Sequence, residues 1–428
     1  MGSLLSRIID EGLIKAVYQP LVDLYTGEVM GYEALARGPE GELERPDLMF
    51  AAARSEGRLA ELDRACAYAA VAGAVEAGLQ APLTLFVNAE PEVAGGKRPE
   101  GAPTPQDLPR DLRLVIEVTE RALASHPANL LPTIDELRSH GIGIALDDVG
   151  VDPRSLALMP FLRPDVIKLD LSLIQGRPSE AVAETHNAVS AYAERTGALV
   201  VAEGIETEEH AERARAMGAS VGQGWLFGRP GPLPASLTQP RSRIPIFETE
   251  ARATQTPYRS IEGRRPLRSG TKRLLLEISR ELERQADALG EHAVLISTFQ
   301  HARHFTPTQA ALYEQMARRL AFVGALGEDM DPNPVDGVRG ATLPSDDPLL
   351  REWDIVVVAP HFAAAFTALD QGDTGVSDMD RRFDFQLTYE RELAVQAARS
   401  LMSRIEPVHG PAVGARATVV AGVNALSV

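Results

Sequence analysis

Hydrophobic and polar positions follow a regular pattern along the first part of the chain. Short apolar runs rich in β-branched residues predict eight strands, at residues 16–24, 29–37, 83–89, 112–118, 142–147, 165–171, 198–204 and 219–224. Amphipathic segments of helical length fill most of the gaps, for example LLPTIDELRSH before Gly141. Strands that alternate with helices in this way are typical of a largely parallel sheet.

The first two predicted strands are separated only by the four residues YTGE. Since a parallel neighbour needs a crossover of about a dozen residues, this pair should form an antiparallel hairpin. Eight strands with intervening helices in roughly 230 residues predict an α/β fold, a (β/α)8 TIM-like barrel with an antiparallel first strand.

The pattern changes after this barrel domain, which we assign to residues 1–238. Residues 239–270 are polar, arginine-rich and aperiodic, and they are expected to form a linker with some local packing. A smaller C-terminal domain of mixed α/β structure is predicted at 271–428. Its expected elements are helices at 271–289, 306–326, 361–370 and 390–404, and strands at 293–299, 354–360 and 383–389.

Composition limits the possible partners of the chain. The 428 residues carry a net charge of −17, which argues against a nucleic-acid polymer or an anionic membrane surface as the main partner. Cys66 is the only cysteine, so a disulfide within the chain is impossible. No apolar run reaches the roughly 18 to 20 residues of a membrane span, and we expect a cytoplasmic location.

Polar side chains stand at the carboxyl ends of nearly all predicted strands. These ends converge on one face of a barrel. They carry Glu33, Asn88, Glu117, Asp147, Asp148, Lys168, Glu203 and Gln223. Each alone could be a solvated strand end or a helix N-cap, but five carboxylates in one cup repel one another unless divalent cations lie among them. The pattern indicates a site for Mg²⁺ or Mn²⁺, and the lack of cysteine and histidine at these ends argues against zinc.

Such a site suits the hydrolysis of a phosphodiester. Two divalent ions generate hydroxide and stabilise the charge that develops during in-line attack. Lys168 could orient the attacking water and Glu203 could take its proton. Arg37, four residues after Glu33, can reach a phosphate oxygen.

Residues from about 14 to 232 resemble the EAL-domain family of cyclic diguanylate phosphodiesterases. The resemblance is carried, in order, by YQPLVDL, EALAR with Glu33, FVNAEP, IEVTER, ALDDVG, VIKLD, VAEGIE and GQGWLFGRP. It implies cleavage of cyclic di-GMP to linear pGpG with two Mg²⁺ or Mn²⁺ ions. The implied metal residues are Glu33, Asn88, Glu117, Asp147, Asp148 and Glu203. Lys168 and Glu203 would act on the water, and Gln19, Arg37 and Gln223 would contact the substrate.

The resemblance also implies that Glu120 and Glu206 steady the loop after the aspartate pair, and that a homodimer forms through this loop and the adjoining helix. The family usually reads Asp-Asp-Phe-Gly-Thr-Gly-Tyr-Ser-Ser at this loop, whereas residues 147–155 here read DDVGVDPRS. Loss of the second glycine and gain of Pro153 remove backbone freedom, and Val149 is a smaller anchor than phenylalanine.

Two functions therefore stay open: an active phosphodiesterase, or a weak or inactive EAL domain that acts as a cyclic di-GMP receptor. A third reading, a barrel enzyme for another phosphodiester, rests on fold alone.

Residues from about 271 to 410 resemble the DICT sensory domain through ISTFQHARHFTP, WDIVVVAPHFAAAF and FDFQLTYERELAVQAARSLM. That resemblance implies signal input without catalysis and leaves the signal open.

Overall fold

Two sheets organise the chain, whose structure is a computed structural model. The structure describes residues 3–90, 93, 108–247 and 255–406, so part of the predicted linker and the last part of the C-terminal domain lie outside the described residues. One sheet is a closed barrel of eight strands and the other is an open sheet of seven. The predicted (β/α)8 barrel with a smaller mixed α/β domain is confirmed.

All eight predicted barrel strands are present. They are β1 (Lys15–Asp23), β2 (Val29–Arg37), β3 (Thr84–Asn88), β4 (Arg113–Val118), β5 (Gly143–Val149), β6 (Val166–Leu169), β7 (Leu199–Ala202) and β8 (Val221–Gly222). β1 runs antiparallel to both of its neighbours, β2 and β8, and the remaining pairs are parallel. The register places Gln19 opposite Glu33, so both side chains lie on one face of the hairpin.

Helices surround the barrel. They are α1 (Leu4–Asp10), α2 (Pro46–Glu56), α3 (Leu59–Glu76), α4 (Glu120–Ser125), α5 (Pro127–Ser139), α6 (Arg154–Leu162), α7 (Leu171–Gln175), α8 (Glu180–Thr196) and α9 (Glu208–Ala216). Ser179 and Thr207 cap the amino ends of α8 and α9, and Gly197 ends α8 with left-handed backbone. Inside the barrel, Phe86, Val115 and Val201 are buried in one apolar cluster with Ile244, which follows the last barrel strand. Ile244 is further held by a hydrogen bond of 2.6 Å from Arg113 Nη2 to its carbonyl.

The second sheet has the strand order β12–β11–β10–β13–β14–β15–β9. Its strands are β9 (Arg268–Thr271), β10 (Val294–His301), β11 (Phe322–Glu328), β12 (Arg339–Thr342), β13 (Glu352–Val358), β14 (Ala363–Asp370) and β15 (Arg382–Thr388). Its helices are α10 (Pro257–Ile261), α11 (Lys272–Leu289), α12 (Pro307–Ala317) and α13 (Arg391–Met402). α11 and α12 cover one face, while α10 and α13 cover the other.

Two helix predictions in the C-terminal half were wrong. The helix predicted at 361–370 is absent, and residues 363–370 form strand β14 instead. The alanines of β14 lie buried between β13 and β15, so tertiary pairing overrides their helix propensity. The helix predicted at 306–326 ends at Ala317, and its apolar end is the buried strand β11. The interval 239–270, expected as a linker, contributes α10 and most of β9 to the second domain.

The two domains pack together through α6 of the barrel. All residues of α6 from Ser155 to Leu162 are buried, and its apolar residues other than Pro160 belong to one cluster with residues of α13. Arg399 of α13 donates hydrogen bonds to the carbonyl of Phe161 and, at 2.6 Å, to Asp135 Oδ1 of α5. Arg339 of β12 donates to the carbonyl of Ala124 at 2.5 Å. The C-terminal domain is thus fixed on the helix that follows the aspartate pair.

No helix among the described residues combines the length and the apolar character that crossing a membrane requires.

Candidate metal centre

Lys168 lies at the centre of a cup formed by the carboxyl ends of the barrel strands. Its Nζ is 2.7 Å from Glu203 Oε1, 2.9 Å from Glu117 Oε1, 3.2 Å from Asp147 Oδ1 and 3.4 Å from Glu33 Oε2. These residues come from β2, β4, β5 and β6 and from the residue after β7. The floor of the cup, Glu33, Glu117 and Lys168, is buried, while Asp147, Asp148, Glu203 and Asn88 are at least partly open to solvent.

Two side-chain amides donate hydrogen bonds to the carboxylate of Glu33, and a third amide positions one of them. Asn88 Nδ2 donates to Glu33 Oε1 at 2.9 Å, and Gln223 Nε2 donates to Glu33 Oε2 at 2.7 Å. Gln223 also donates to Gln19 Oε1 at 3.1 Å, and Gln19 in turn donates to the carbonyl of Gly228 at 3.1 Å. Glu33 therefore has a defined orientation because both of its oxygens are hydrogen-bonded.

Burial and mutual repulsion control protonation in the cup. Burial, followed by the charges of Glu33 and Asp147, raises the pKa of Glu117 well above its ordinary value, although Lys168 opposes the shift. Burial likewise raises the pKa of Glu203 to about 8. Burial alone would lower the pKa of Lys168, but the surrounding carboxylates, Asp147 first among them, outweigh it and raise that pKa. The lysine is therefore a fixed cation that the carboxylates hold in place.

The donor set fits divalent cations. Glu117 Oε2 is buried and has no hydrogen-bond partner among the described residues, an arrangement that costs free energy unless a cation or proton satisfies the oxygen. Oxygens of Asp147, Asp148 and Glu203 lie within 4.8 Å of one another. The five carboxylates and one lysine leave four negative charges when all are ionised, and bound divalent cations would offset these charges. Hard carboxylate and amide oxygens are the ligands that Mg²⁺ and Mn²⁺ prefer.

The unusual loop after the aspartate pair is well ordered by local bonds. Asp148 has left-handed backbone with φ of 55°, and its pKa is raised by burial and then by the charge of Asp147. Val149 is fully buried, and its carbonyl accepts a hydrogen bond of 3.0 Å from the Asp170 amide. Asp152 accepts hydrogen bonds from the amide of Arg154, at 2.9 Å, and from its guanidinium. Arg154 is the first residue of α6. Val149 and Asp152, which differ from the usual family residues, thus hold this loop through their own burial and hydrogen bonds.

Three predicted residues lie outside the carboxylate cluster. Glu120 is buried beneath the loop side of the cup; burial raises its pKa to about 7, and the charges of Asp152 and Asp148 act in the same direction. The Glu206 side chain is exposed and makes no hydrogen bond or ion pair within the described part of the chain. Arg37 is half-buried at the end of β2 and donates to the carbonyl of Ala36 at 2.7 Å.

Sequence reasoning missed two residues that position the site. Asp63 of α3 accepts a hydrogen bond of 3.0 Å from the Glu90 amide and so holds the turn after Asn88. Asp170 caps α7, and its charge contributes to the raised pKa of Asp148. The position of Asp170 directly after the VIKL strand is a signal that could have identified it, since the other strand ends were read in this way. Asp63 gives no such signal, because its contact depends on packing between distant segments.

Comparison with known families decides the classification. The family model for the EAL domain matches residues 3–230, which is more than half of the chain. The chain belongs to the EAL domain family. Residues 259–371 of this EAL protein match a second model, DICT, described as a sensory domain in diguanylate cyclases and two-component systems. The second match begins within α10, in agreement with the place of α10 and β9 in the C-terminal domain.

The EAL chain is similar to curated proteins along its barrel. It is 30% identical to the cyclic di-GMP phosphodiesterase RocR of Pseudomonas aeruginosa, over 53% of this chain and 59% of RocR. It is 30% identical to the cyclic di-GMP phosphodiesterase NbdA of the same species, over 54% of this chain and 30% of NbdA. The chain therefore spans less than two thirds of the length of these relatives.

Among solved structures, similarity extends to the manganese and cyclic di-GMP complex of Klebsiella pneumoniae BlrP1. This match has 28% identity and a TM-score of 0.45, and it covers 51% of this chain and 56% of that one. A second match is the PaMucR phosphodiesterase in complex with c-di-GMP, at 26% identity and a TM-score of 0.46, covering 53% of this chain and 96% of that one.

Proposed function

We propose that this EAL protein hydrolyses cyclic di-GMP to linear pGpG with divalent metal ions. The observation that carries the proposal is the cup in which Lys168 Nζ lies within 3.4 Å of four carboxylates. In the part of the chain that the structure describes, the buried Glu117 Oε2 has no hydrogen-bond partner. Carboxylate and amide oxygens around one fixed cation could hold metal ions, and these ions could bind both a phosphodiester and the attacking water. The two phosphodiesterases with which the barrel shares 30% identity support this substrate.

The residues proposed to hold two Mg²⁺ or Mn²⁺ ions are Glu33, Asn88, Glu117, Asp147, Asp148 and Glu203. Bound ions of this kind lower the pKa of water and neutralise charge on a phosphate. The left-handed backbone of Asp148 breaks the alternation of side chains along β5. Asp147 and Asp148 could therefore both supply carboxylate oxygens to the metal ions. The amide hydrogen bonds to Glu33 orient it before any ion binds.

Lys168 and Glu203 are proposed to act on the attacking water. The ammonium of Lys168 donates hydrogen bonds and stays charged, so it orients the water and stabilises charge on the phosphate. Glu203, 2.7 Å from that ammonium and partly open to solvent, accepts the proton of the water in its ionised form. Lys168 thus orients the attacking water, and Glu203 accepts its proton.

Gln19, Arg37 and Gln223 are proposed to contact the substrate. Gln19 and Gln223 lie at the junction of β1 and β8, beside the carboxylate floor, and are hydrogen-bonded to each other. Arg37 lies at the end of the strand that carries Glu33, and its guanidinium has further N–H groups that suit a phosphate oxygen. Glu120, buried near Asp152, is the better candidate to steady the loop, and the role of Glu206 stays a prediction.

The receptor alternative rests on the loop DDVGVDPRS. If this loop fails to keep the aspartates in place, the cup would bind cyclic di-GMP without cleaving it. The hydrogen bonds of Val149 and Asp152 favour the enzyme, because they hold the loop at both ends without the second glycine.

The test is an assay of the full chain with cyclic di-GMP and either Mg²⁺ or Mn²⁺, followed by chromatographic analysis of the nucleotides. We expect pGpG from the wild type and a loss of at least about a hundredfold in Glu33→Gln. Glu194→Gln, on the exposed surface of α8, is the matched control and should retain full activity. Binding of cyclic di-GMP without pGpG would favour the receptor.

Assembly and regulation follow from the position of α6. We propose that the C-terminal domain regulates the reaction through this helix, since α13 packs against it and the aspartate loop precedes it directly. A homodimer through the outer face of α6 would require α13 to move away, whereas one through the exposed Val151 of the loop would not. The signal sensed by the C-terminal domain and a cytoplasmic location stay predictions.

A further inference from the structure

A small pocket lies between the two domains, away from the carboxylate cup. Its volume is about 240 Å³, below the roughly 300 to 1,000 Å³ of pockets for drug-sized ligands. The barrel contributes the ends of α6 and α8 with Arg163 and Arg195, and the C-terminal domain contributes the start of α13 with Arg391 and Glu392. Its walls therefore come from both domains.

Arg391 is held in the pocket wall with an unused donor. Its Nη2 donates to the carbonyls of Ala359 and Pro360. Its Nη1 is buried and has no hydrogen-bond partner within the described ranges. Burial, and then the charge of Arg195, lowers the pKa of Arg391 to about 10. A buried guanidinium nitrogen beside a second cation is unfavourable unless an anion accepts its hydrogen bond.

The guanidinium groups of Arg163 and Arg195 also have N–H donors that a ligand could use. Arg163 has left-handed backbone with φ of 51°, and its carbonyl accepts a hydrogen bond from Arg138, so its position is fixed. Among the residues that the structure describes, the one ion pair of its guanidinium is with Glu392, at 3.9 Å. The guanidinium of Arg195 lies 5.8 Å from the centre of the Tyr192 ring and forms no ion pair among the described residues.

Carboxylates do not balance these charges. Arg138, the fourth arginine of the wall, is paired with the buried Asp165 at 3.1 Å, and this pair is neutral as a whole. Glu392 is the remaining carboxylate that lines the pocket within the described chain, and its side chain is 67% exposed. Three guanidiniums against one exposed carboxylate leave an excess of two positive charges, in a protein whose net charge is −17.

We propose that this pocket binds a doubly charged phosphate group, either inorganic phosphate or the phosphate of a small monoester, between Arg163, Arg195 and Arg391. A phosphate dianion matches the excess charge, and its oxygens accept the forked hydrogen bonds that guanidinium groups donate. Because the arginines come from both domains, the anion stabilises the docked arrangement in which α13 covers α6. This site does not depend on the proposed hydrolysis.

Titration calorimetry tests the site on the full chain, with EDTA present and ionic strength held constant with chloride. Separate titrations use inorganic phosphate and ribose 5-phosphate, which distinguish a free ion from a monoester as the preferred ligand. We expect saturable binding of at least one of the two. Arg195→Gln should weaken it about tenfold or more, the loss of one charged hydrogen bond. Arg391→Gln should weaken it at least as much.

The variants separate a specific site from general electrostatics. Arg195 is exposed and holds no hydrogen bond that the fold needs, so Arg195→Gln should fold even if Arg391→Gln does not. The control is Arg273→Gln, which removes the same charge from an exposed position with a loose ion pair of 3.8 Å to Asp380. Absence of saturable binding by both ligands would overturn the proposal. So would equal affinity in the wild type and Arg195→Gln, or an equal loss in Arg273→Gln.

Discussion

Lys168 Nζ, in the buried floor of the cup, lies 2.7 Å from Oε1 of the partly exposed Glu203. The lysine comes from β6 and the glutamate follows β7, so two neighbouring parallel strands bring the pair together. The ammonium stays charged because several carboxylates surround it, and Glu203 is the member of the group that solvent reaches most readily.

Lys168→Met should abolish hydrolysis of cyclic di-GMP, with a loss of about a hundredfold or more, because no other described cation contacts the carboxylates of the cup. Binding of Mn²⁺ should persist, since the proposed ligands are unchanged. The shift that Mn²⁺ causes in the melting temperature measures this binding. Lys15→Met, at an exposed position of β1, is the matched control. A Lys168→Met protein with normal turnover would remove the lysine from the mechanism.

Glu117→Gln should separate metal binding from folding. The glutamine keeps the shape of the side chain but removes a buried carboxylate whose pKa is raised, so metal-free stability should be unchanged or higher. The stabilisation by Mn²⁺ should fall sharply in the same variant. Urea unfolding with and without Mn²⁺ measures both effects, and an unaltered response to Mn²⁺ would show that Glu117 is not a ligand.

Metal affinity should rise with pH between 6 and 8. In the metal-free protein Glu203 has a pKa of about 8, above its ordinary value of 4.5, so Mn²⁺ must displace a proton to bind the carboxylate. The expected gain approaches about tenfold per pH unit for each displaced proton. Calorimetry in two buffers of different ionisation enthalpy counts these protons. Glu203→Gln should reduce the pH dependence, whereas an equally steep dependence would assign the protons elsewhere.

The stability of the metal-free protein should respond to pH in the opposite sense. A raised folded pKa means that Glu203 contributes stability that is fully present below about 4.5 and is lost as pH rises towards 8. The difference in unfolding free energy between wild type and Glu203→Gln isolates this contribution from other titrating groups. With EDTA present, the wild type should lose stability relative to the variant across this range.

Asp152→Ala tests whether the loop supplies its own anchor. Removing the acceptor of the Arg154 amide and guanidinium should cost about 1 kcal/mol of stability and weaken Mn²⁺ binding, because the loop starts at Asp148. Asp47→Ala is a matched control, since Asp47 also pairs with an arginine two residues away at a helix start, at 2.8 Å, but far from the cup. Equal effects of both variants on Mn²⁺ affinity would leave the loop without a special role.

Arg399→Gln tests the contact between the domains. Loss of its hydrogen bonds to Phe161 and Asp135 should increase hydrogen exchange in α6 and change the rate of cyclic di-GMP hydrolysis. Arg280→Gln, on the exposed surface of α11, is the control. Light scattering on both variants would show whether uncovering α6 also promotes dimers. Faster exchange in α6 with an unchanged rate would argue against regulation through this helix.

The sequence by itself determined the barrel and the composition of its site. Apolar strands buried inside a barrel read as continuous hydrophobic runs, so all eight could be located, and each polar residue at a strand end marked the same rim. The four residues between the first two strands were enough to predict their antiparallel pairing.

Tertiary structure decided the features that depend on contacts between distant segments. The alanines of β14 favour a helix in isolation, and only pairing with β13 and β15 makes them a strand. The uniformly apolar sequence LALMPFL of α6 indicates burial on every side, but not that α13 provides the cover. The same reason applies to the arginine pocket: its residues lie far apart in sequence, and only the docking of two domains brings their charges together.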